Sequence, residues 1–112
     1  MMIIDDQVNE TFRFDPERVQ RYKVILRRNR LFGFWVGKQL GKIDCEMLYY
    51  IASVVDADLE EPGDRDIIQK VRDDMRTAGI KVSGAALRAK LDALHAQARR
   101  ELGGPSPDQP TS

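Results

Sequence analysis

The stretch DPERVQRYKVILRRNRLFGFWVGKQLG, Asp15 to Gly41, decides how this chain folds. Asp15-Pro16 is a helix start: a short carboxylate free to cap, then a proline whose missing N–H costs nothing at the first helical position. From there Val19, Tyr22, Leu26, Asn29, Gly33, Val36 and Leu40 recur at alternating three- and four-residue steps, and Ile25, Phe32 and Trp35 widen the stripe. Arg18, Arg21, Lys23, Arg27, Arg28 and Arg30 take the other sides. The pattern predicts a long amphipathic helix over 16–40, roughly 37 Å at 1.5 Å per residue, closed by Gly41.

Working outward, three shorter helices follow. Asp44 is placed to cap a helix over 44–56, with Met47, Leu48, Ile51, Ala52 and Val55 as its apolar residues. The acidic run from Asp56 to Pro62-Gly63 reads as a turn. Asp64 opens a helix over 64–78 with Ile67, Ile68, Val71 and Met75 on one side. Ser83 opens a helix over 83–102 carrying Leu87, Leu91, Leu94, Ala98 and Leu102, ended by Gly103-Gly104. No segment alternates as a strand would. One-sided helices of these lengths are unstable alone and must bury their faces on one another. The expected fold is all-α: a four-helix bundle over 15–102, with a mobile N-terminal arm (1–14) and a disordered, proline-bearing tail (103–112).

Composition sets the outer bounds. The chain has 112 residues, 32% of them charged, with 18 basic side chains matching 18 acidic ones. This balance conceals segregation. Residues 16–43 hold eight basic residues against Glu17, and residues 44–67 hold eight acids against Arg65. Opposed blocks in so small a domain pair when their helices pack antiparallel, or else present two charged surfaces to a partner. No apolar run nears the roughly 20 residues needed to span a bilayer, and the start has no basic, apolar leader. A soluble protein of the cytoplasm is expected. The single cysteine, Cys45, excludes an internal disulfide and multi-cysteine metal sites.

Candidate sites are few. Asp56, Asp58 and Glu60 have the alternate spacing of a calcium loop, but Glu61 stands where the turn glycine is needed and Ile67 where the closing glutamate is needed. Gly33, Gly37 and Gly41 recur every four residues, as expected where a neighbouring helix backbone comes close. His95 flanks the last helix's stripe without a metal-ligand partner, and Asp44 and Glu46 oppose activation of Cys45. There is no nucleophile–base pair and no phosphate-cradling glycine loop, so no catalytic residue, cofactor or metal is assigned. Nucleic acid is not an expected partner either, because Phe32 and Trp35 belong to the apolar stripe and the acidic blocks repel phosphate.

Several strings resemble one family. Arg27-Arg28-Asn29-Arg30-Leu31-Phe32-Gly33-Phe34-Trp35 with Leu40-Gly41 is similar to the first-helix signature of the zeta-subunit family of inhibitors of bacterial F-type ATP synthase. Val54 to Asp64, with its Glu60-Glu61-Pro62-Gly63-Asp64, resembles that family's acidic loop, and Ile67-Ile68-Gln69-Lys70-Val71 its third helix. The resemblance implies a four-helix bundle that binds the catalytic head of the synthase, at the inner membrane's periphery, as a monomer when free. A mobile N-terminal segment would block ATP hydrolysis. Carried onto this chain, the inhibitory arm comprises Ile3, Ile4, Asp5, Asp6, Val8, Phe12 and Phe14. Arg27, Arg28, Arg30 and Trp35 are candidates for docking or for weak ATP or ADP contact.

The arm departs from the family pattern, because Ile3-Ile4, Gln7-Val8-Asn9 and Thr11-Phe12 replace much of its charge. Pro16 also biases Asp15 away from helical geometry. The arm can therefore insert with a kink, pack on the bundle, or have lost inhibition. The alternative function is an interaction or adaptor protein of the same fold with little or no ATPase inhibition.

Overall fold

The computed structural model describes residues 15–59 and 64–102; the arm residues 1–14, residues 60–63 and the tail 103–112 lie outside the described residues. The described chain is all-α, with four helices: α1 (Pro16–Gln39), α2 (Asp44–Leu59), α3 (Arg65–Thr77) and α4 (Gly84–Leu102). α1 is the spine, packing along α2 and α4, while α3 closes the bundle against those two.

Local chemistry accounts for most of the helix ends. Asp15 is extended (φ −117°, ψ 107°), and its Oδ1 accepts the Glu17 N–H at 3.1 Å. Ser83 Oγ accepts the Ala86 N–H at 3.0 Å, the N-cap bond expected of serine. α1 and α3 both close on a left-handed glycine, Gly41 (φ +77°) and Gly79 (φ +83°). In each case two backbone bonds wrap the last carbonyls: Lys42 to Gly37 and Gly41 to Lys38, then Ile80 to Met75 and Gly79 to Arg76.

Two capping expectations are corrected. Asp44 is the first residue of α2, not its cap, and holds φ +51° in the left-handed region that aspartate tolerates better than most residues. Asp64 stands at the N-cap of α3 but makes no capping bond, because arginines from α1 and α4 take its carboxylate. α2 also runs to Leu59, three residues past the expected end at Asp56. Carboxylates at a helix C-terminus oppose its dipole; here Asp58 is held by Asn29 and Arg28, which offsets that cost.

The core gathers Phe32 and Val36 of α1, Tyr50 and Val54 of α2, Ile67, Val71 and Met75 of α3, and Leu87, Leu91 and Leu94 of α4. Ala98 is buried with them, as expected, while Leu102 is exposed. The α1 stripe is right from Asn29 to Val36, but near the helix start Tyr22 and Ile25 are exposed and Val24 is buried instead. α2 differs most from its reading: it buries Met47, Tyr50 and Val54, leaving Leu48 and Ala52 outside.

Gly33 and Gly37 set the α1–α2 distance. A Cβ on Gly33 would sit 3.1 Å from the Ile51 Cα and 3.3 Å from the Val54 Cβ, and one on Gly37 would sit 2.5 Å from the Met47 sulfur. The close backbone approach expected of these two glycines is made by α2. Gly41 takes no part in it, having no atom within 4 Å of its would-be Cβ.

Candidate functional site

The charged signature of α1 is divided between the interior and the surface. Arg28 and Asn29 turn inward, and Arg28 is only 5% exposed. An arginine this deep must be paired. Arg28 Nη2 lies 3.1 Å from Asp64 Oδ1 and 3.6 Å from Asp58 Oδ2, while its Nε donates to Asn29 Oδ1 at 2.9 Å. Asn29 Nδ2 in turn donates to Asp58 Oδ2 at 2.8 Å. From α4, Arg88 Nη1 meets Asp64 Oδ2 at 2.7 Å. One polar lock thus joins all four helices: α1 through Arg28 and Asn29, α2 through Asp58, the start of α3 through Asp64, and α4 through Arg88.

The lock sets the ionisation of its carboxylate. Burial pushes Asp64 up, but the hydrogen bond from Arg88 and the charge of Arg28 outweigh it, and the net pKa lies below the ordinary 3.8. It also realises the charge segregation of the sequence, since the basic block of α1 reaches the acidic block of α2 and the α3 start.

Arg28 is therefore an internal strut and not a surface contact. Hydrophobic periodicity counts arginine as polar and hence outward, so the stripe alone does not show this role of Arg28. Its neighbour Asn29, already on the apolar stripe, was the available signal that a polar pair faces inward there.

The other sequence candidates on α1 do not converge on one point. Arg27 is on the surface, with its Nε 2.9 Å from Glu101 of α4. Arg30 is exposed and has no ion pair among the described residues. Trp35 is half-buried, stacked on Phe32 with ring centroids 6.3 Å apart, and Lys90 of α4 lies 5.1 Å from its ring centre. The arm candidates Ile3, Ile4, Asp5, Asp6, Val8, Phe12 and Phe14 lie outside the described residues.

A second feature is built from two helices far apart in the sequence. Between the first turns of α1 and the end of α4 runs an open groove of about 470 Å³, lined by Gln20, Arg21, Val24, Ile25, His95 and Arg99. Partial burial, then the charges of Arg28 and Arg99, hold His95 below its ordinary pKa of 6.5. Periodicity brought out His95 and Ile25 separately but had no means of placing them together across two helices.

These features can hold a shape and present surfaces. They define a small all-helical bundle protein, cross-braced by a buried ion-pair lock, in which no helix is long and apolar enough to cross a membrane among the described residues. A family model described as ATPase inhibitor subunit zeta matches residues 4–101, and the chain belongs to that family. The family's name denotes a regulatory role and not a catalytic one. No curated protein matches the chain.

Proposed function

We propose that this chain binds the catalytic head of F-type ATP synthase and blocks ATP hydrolysis through residues 1–14, acting at the cytoplasmic periphery of the inner membrane. One observation carries the reading: the family match begins at residue 4, so it takes in most of the arm as well as the bundle. The packing supports a division of labour. Among the described residues the buried apolar side chains run from Val24 to Ala98 and come from all four helices, which share one core. An arm that orders on a partner has its entropy cost met by contacts made in the complex.

Titrating purified catalytic heads with the full chain tests this. ATP hydrolysis should fall with saturable dependence on the added protein. Unchanged hydrolysis at full occupancy of the heads removes the inhibitory claim.

The extended backbone of Asp15 ahead of Pro16 favours a second reading, because an inhibitory helix could not run unbroken from the arm into α1. In that case the chain is an interaction or adaptor protein of the same fold, with another partner and little or no ATPase inhibition. A pull-down from the native cell separates this reading according to partner: synthase subunits are recovered in the first case and other proteins in the second.

A further inference from the structure

α2 has apolar residues on both sides, and a helix of that kind is ordinarily covered on both. Its inner side, Met47, Tyr50 and Val54, is buried in the bundle. On its outer side Cys45, Leu48, Tyr49 and Ala52 recur at three- and four-residue steps, and all four are exposed. Leu48 is 67% exposed and Tyr49 77%, with Ile43 just ahead of the helix at 65%. Single exposed apolar residues are ordinary, but three large ones within seven positions form a patch.

The surrounding charge restricts what can cover it. α2 contains no lysine or arginine. Its outer carboxylates stand on either side of Leu48, Tyr49 and Ala52: Asp44 and Glu46 before them, Asp56 after them, all exposed. Asp56 lies near the helix C-terminus, where the dipole disfavours a carboxylate, and has no ion pair among the described residues. Unlike Asp58, it has no internal role. A second copy docked through the same face would bring acids onto acids. Residues 1–14, with Asp5, Asp6 and Glu10 against Arg13, would do the same. Charge complementarity leaves a partner whose apolar side chains are flanked by lysine or arginine.

We propose that the outer face of α2, centred on Leu48 and Tyr49, is the surface through which the bundle docks on the catalytic head, against an apolar segment flanked by basic residues. This rests on the head-binding reading above. Leu48 and Tyr49 supply the buried centre, and Glu46 and Asp56 the charged rim.

Cys45, the only cysteine and an exposed one, is a footprint probe built into this face. The full chain is treated with iodoacetamide alone and with saturating purified heads, and head affinity is measured for the wild type, Leu48→Ser/Tyr49→Ser and Glu46→Lys/Asp56→Lys. Alkylation of Cys45 should slow at least tenfold on binding. The double serine variant should bind at least tenfold more weakly with its circular dichroism unchanged, and the charge-reversal variant should lose affinity most at low salt. If the wild type binds while Cys45 alkylates at its free rate and the serine variant binds as tightly, the surface assignment is overturned. Protection of Cys45 by raising the concentration of this chain alone would overturn it in favour of a second copy. No binding by the wild type would instead remove the head-binding reading and this surface with it.

Discussion

Replacing Arg28 with methionine tests the internal architecture most sharply. Methionine retains much of the apolar stem while removing the guanidinium, and with it the contacts to Asp64 at 3.1 Å and Asp58 at 3.6 Å and the bond to Asn29 at 2.9 Å. The two carboxylates left behind differ. Asp64 keeps Arg88 at 2.7 Å and is 26% exposed, so it remains compensated. Asp58 is only 11% exposed, retains one bond from Asn29, and has an Oδ1 already without a hydrogen-bond partner. Breaking a buried pair costs about 3–5 kcal/mol, and with one stranded charge the low end applies, about 3 kcal/mol. For a domain of this size that lowers Tm by roughly 12–24 °C. Thermal unfolding followed by circular dichroism measures it. Adding Asp58→Asn to Arg28→Met removes the stranded charge and should recover part of the loss, since the two residues share one network. A melting temperature within about 3 °C of wild type, or no recovery in the double variant, would refute the lock, given that 1 kcal/mol already shifts Tm by about 4–8 °C.

The remaining expectations are smaller in scale. Gly33→Ala presses a methyl against the Ile51 backbone at 3.1 Å and should destabilise by up to about 2 kcal/mol after the gain in helix propensity, whereas Gly37→Ala meets the adaptable Met47 side chain and should cost less; urea melts of the pair rank them. Gly79→Ala forces alanine to φ +83° and should cost about 1–2 kcal/mol by the same assay. Asp64 has a folded-state pKa below its unfolded one, so its contribution is present above about pH 3.8 and is lost as pH falls through the folded value. Asp64→Asn should accordingly lower Tm at pH 6 and flatten its decline toward pH 2. Tyr50→Phe removes the 2.8 Å bond from its hydroxyl to Asp74 and should cost about 1 kcal/mol in chemical denaturation.

The parts of the fold legible in the sequence were those written in neighbouring residues. Asp15-Pro16, Ser83 and the glycine stop at Gly41 act over a few positions, and the stripes of α3 and the core of α4 are one-sided, so their faces could be read directly. α2 could not be read that way: with Met47, Leu48, Tyr49, Tyr50 and Ile51 in succession, apolar period does not choose between its sides, and only the close approach of Gly33 and Gly37 selects Met47, Tyr50 and Val54. Arg28 and Asp58 escaped for a related reason. Their partners lie about thirty residues apart, and a charged residue carries no local sign that it points inward. The family resemblance, carried by the Arg27–Trp35 and Glu60–Asp64 strings, is supported by the match over residues 4–101. Part of what makes those strings recognisable is structural, because Arg28, Asn29 and Asp64 build the lock.

The most direct test of the division between a self-sufficient bundle and an inhibitory arm is to delete residues 1–14 and measure head binding and ATP hydrolysis on the same preparation. The shortened chain should keep its helical circular dichroism, still bind the heads through the bundle, and leave hydrolysis at the uninhibited rate. Inhibition equal to that of the full chain would contradict the account.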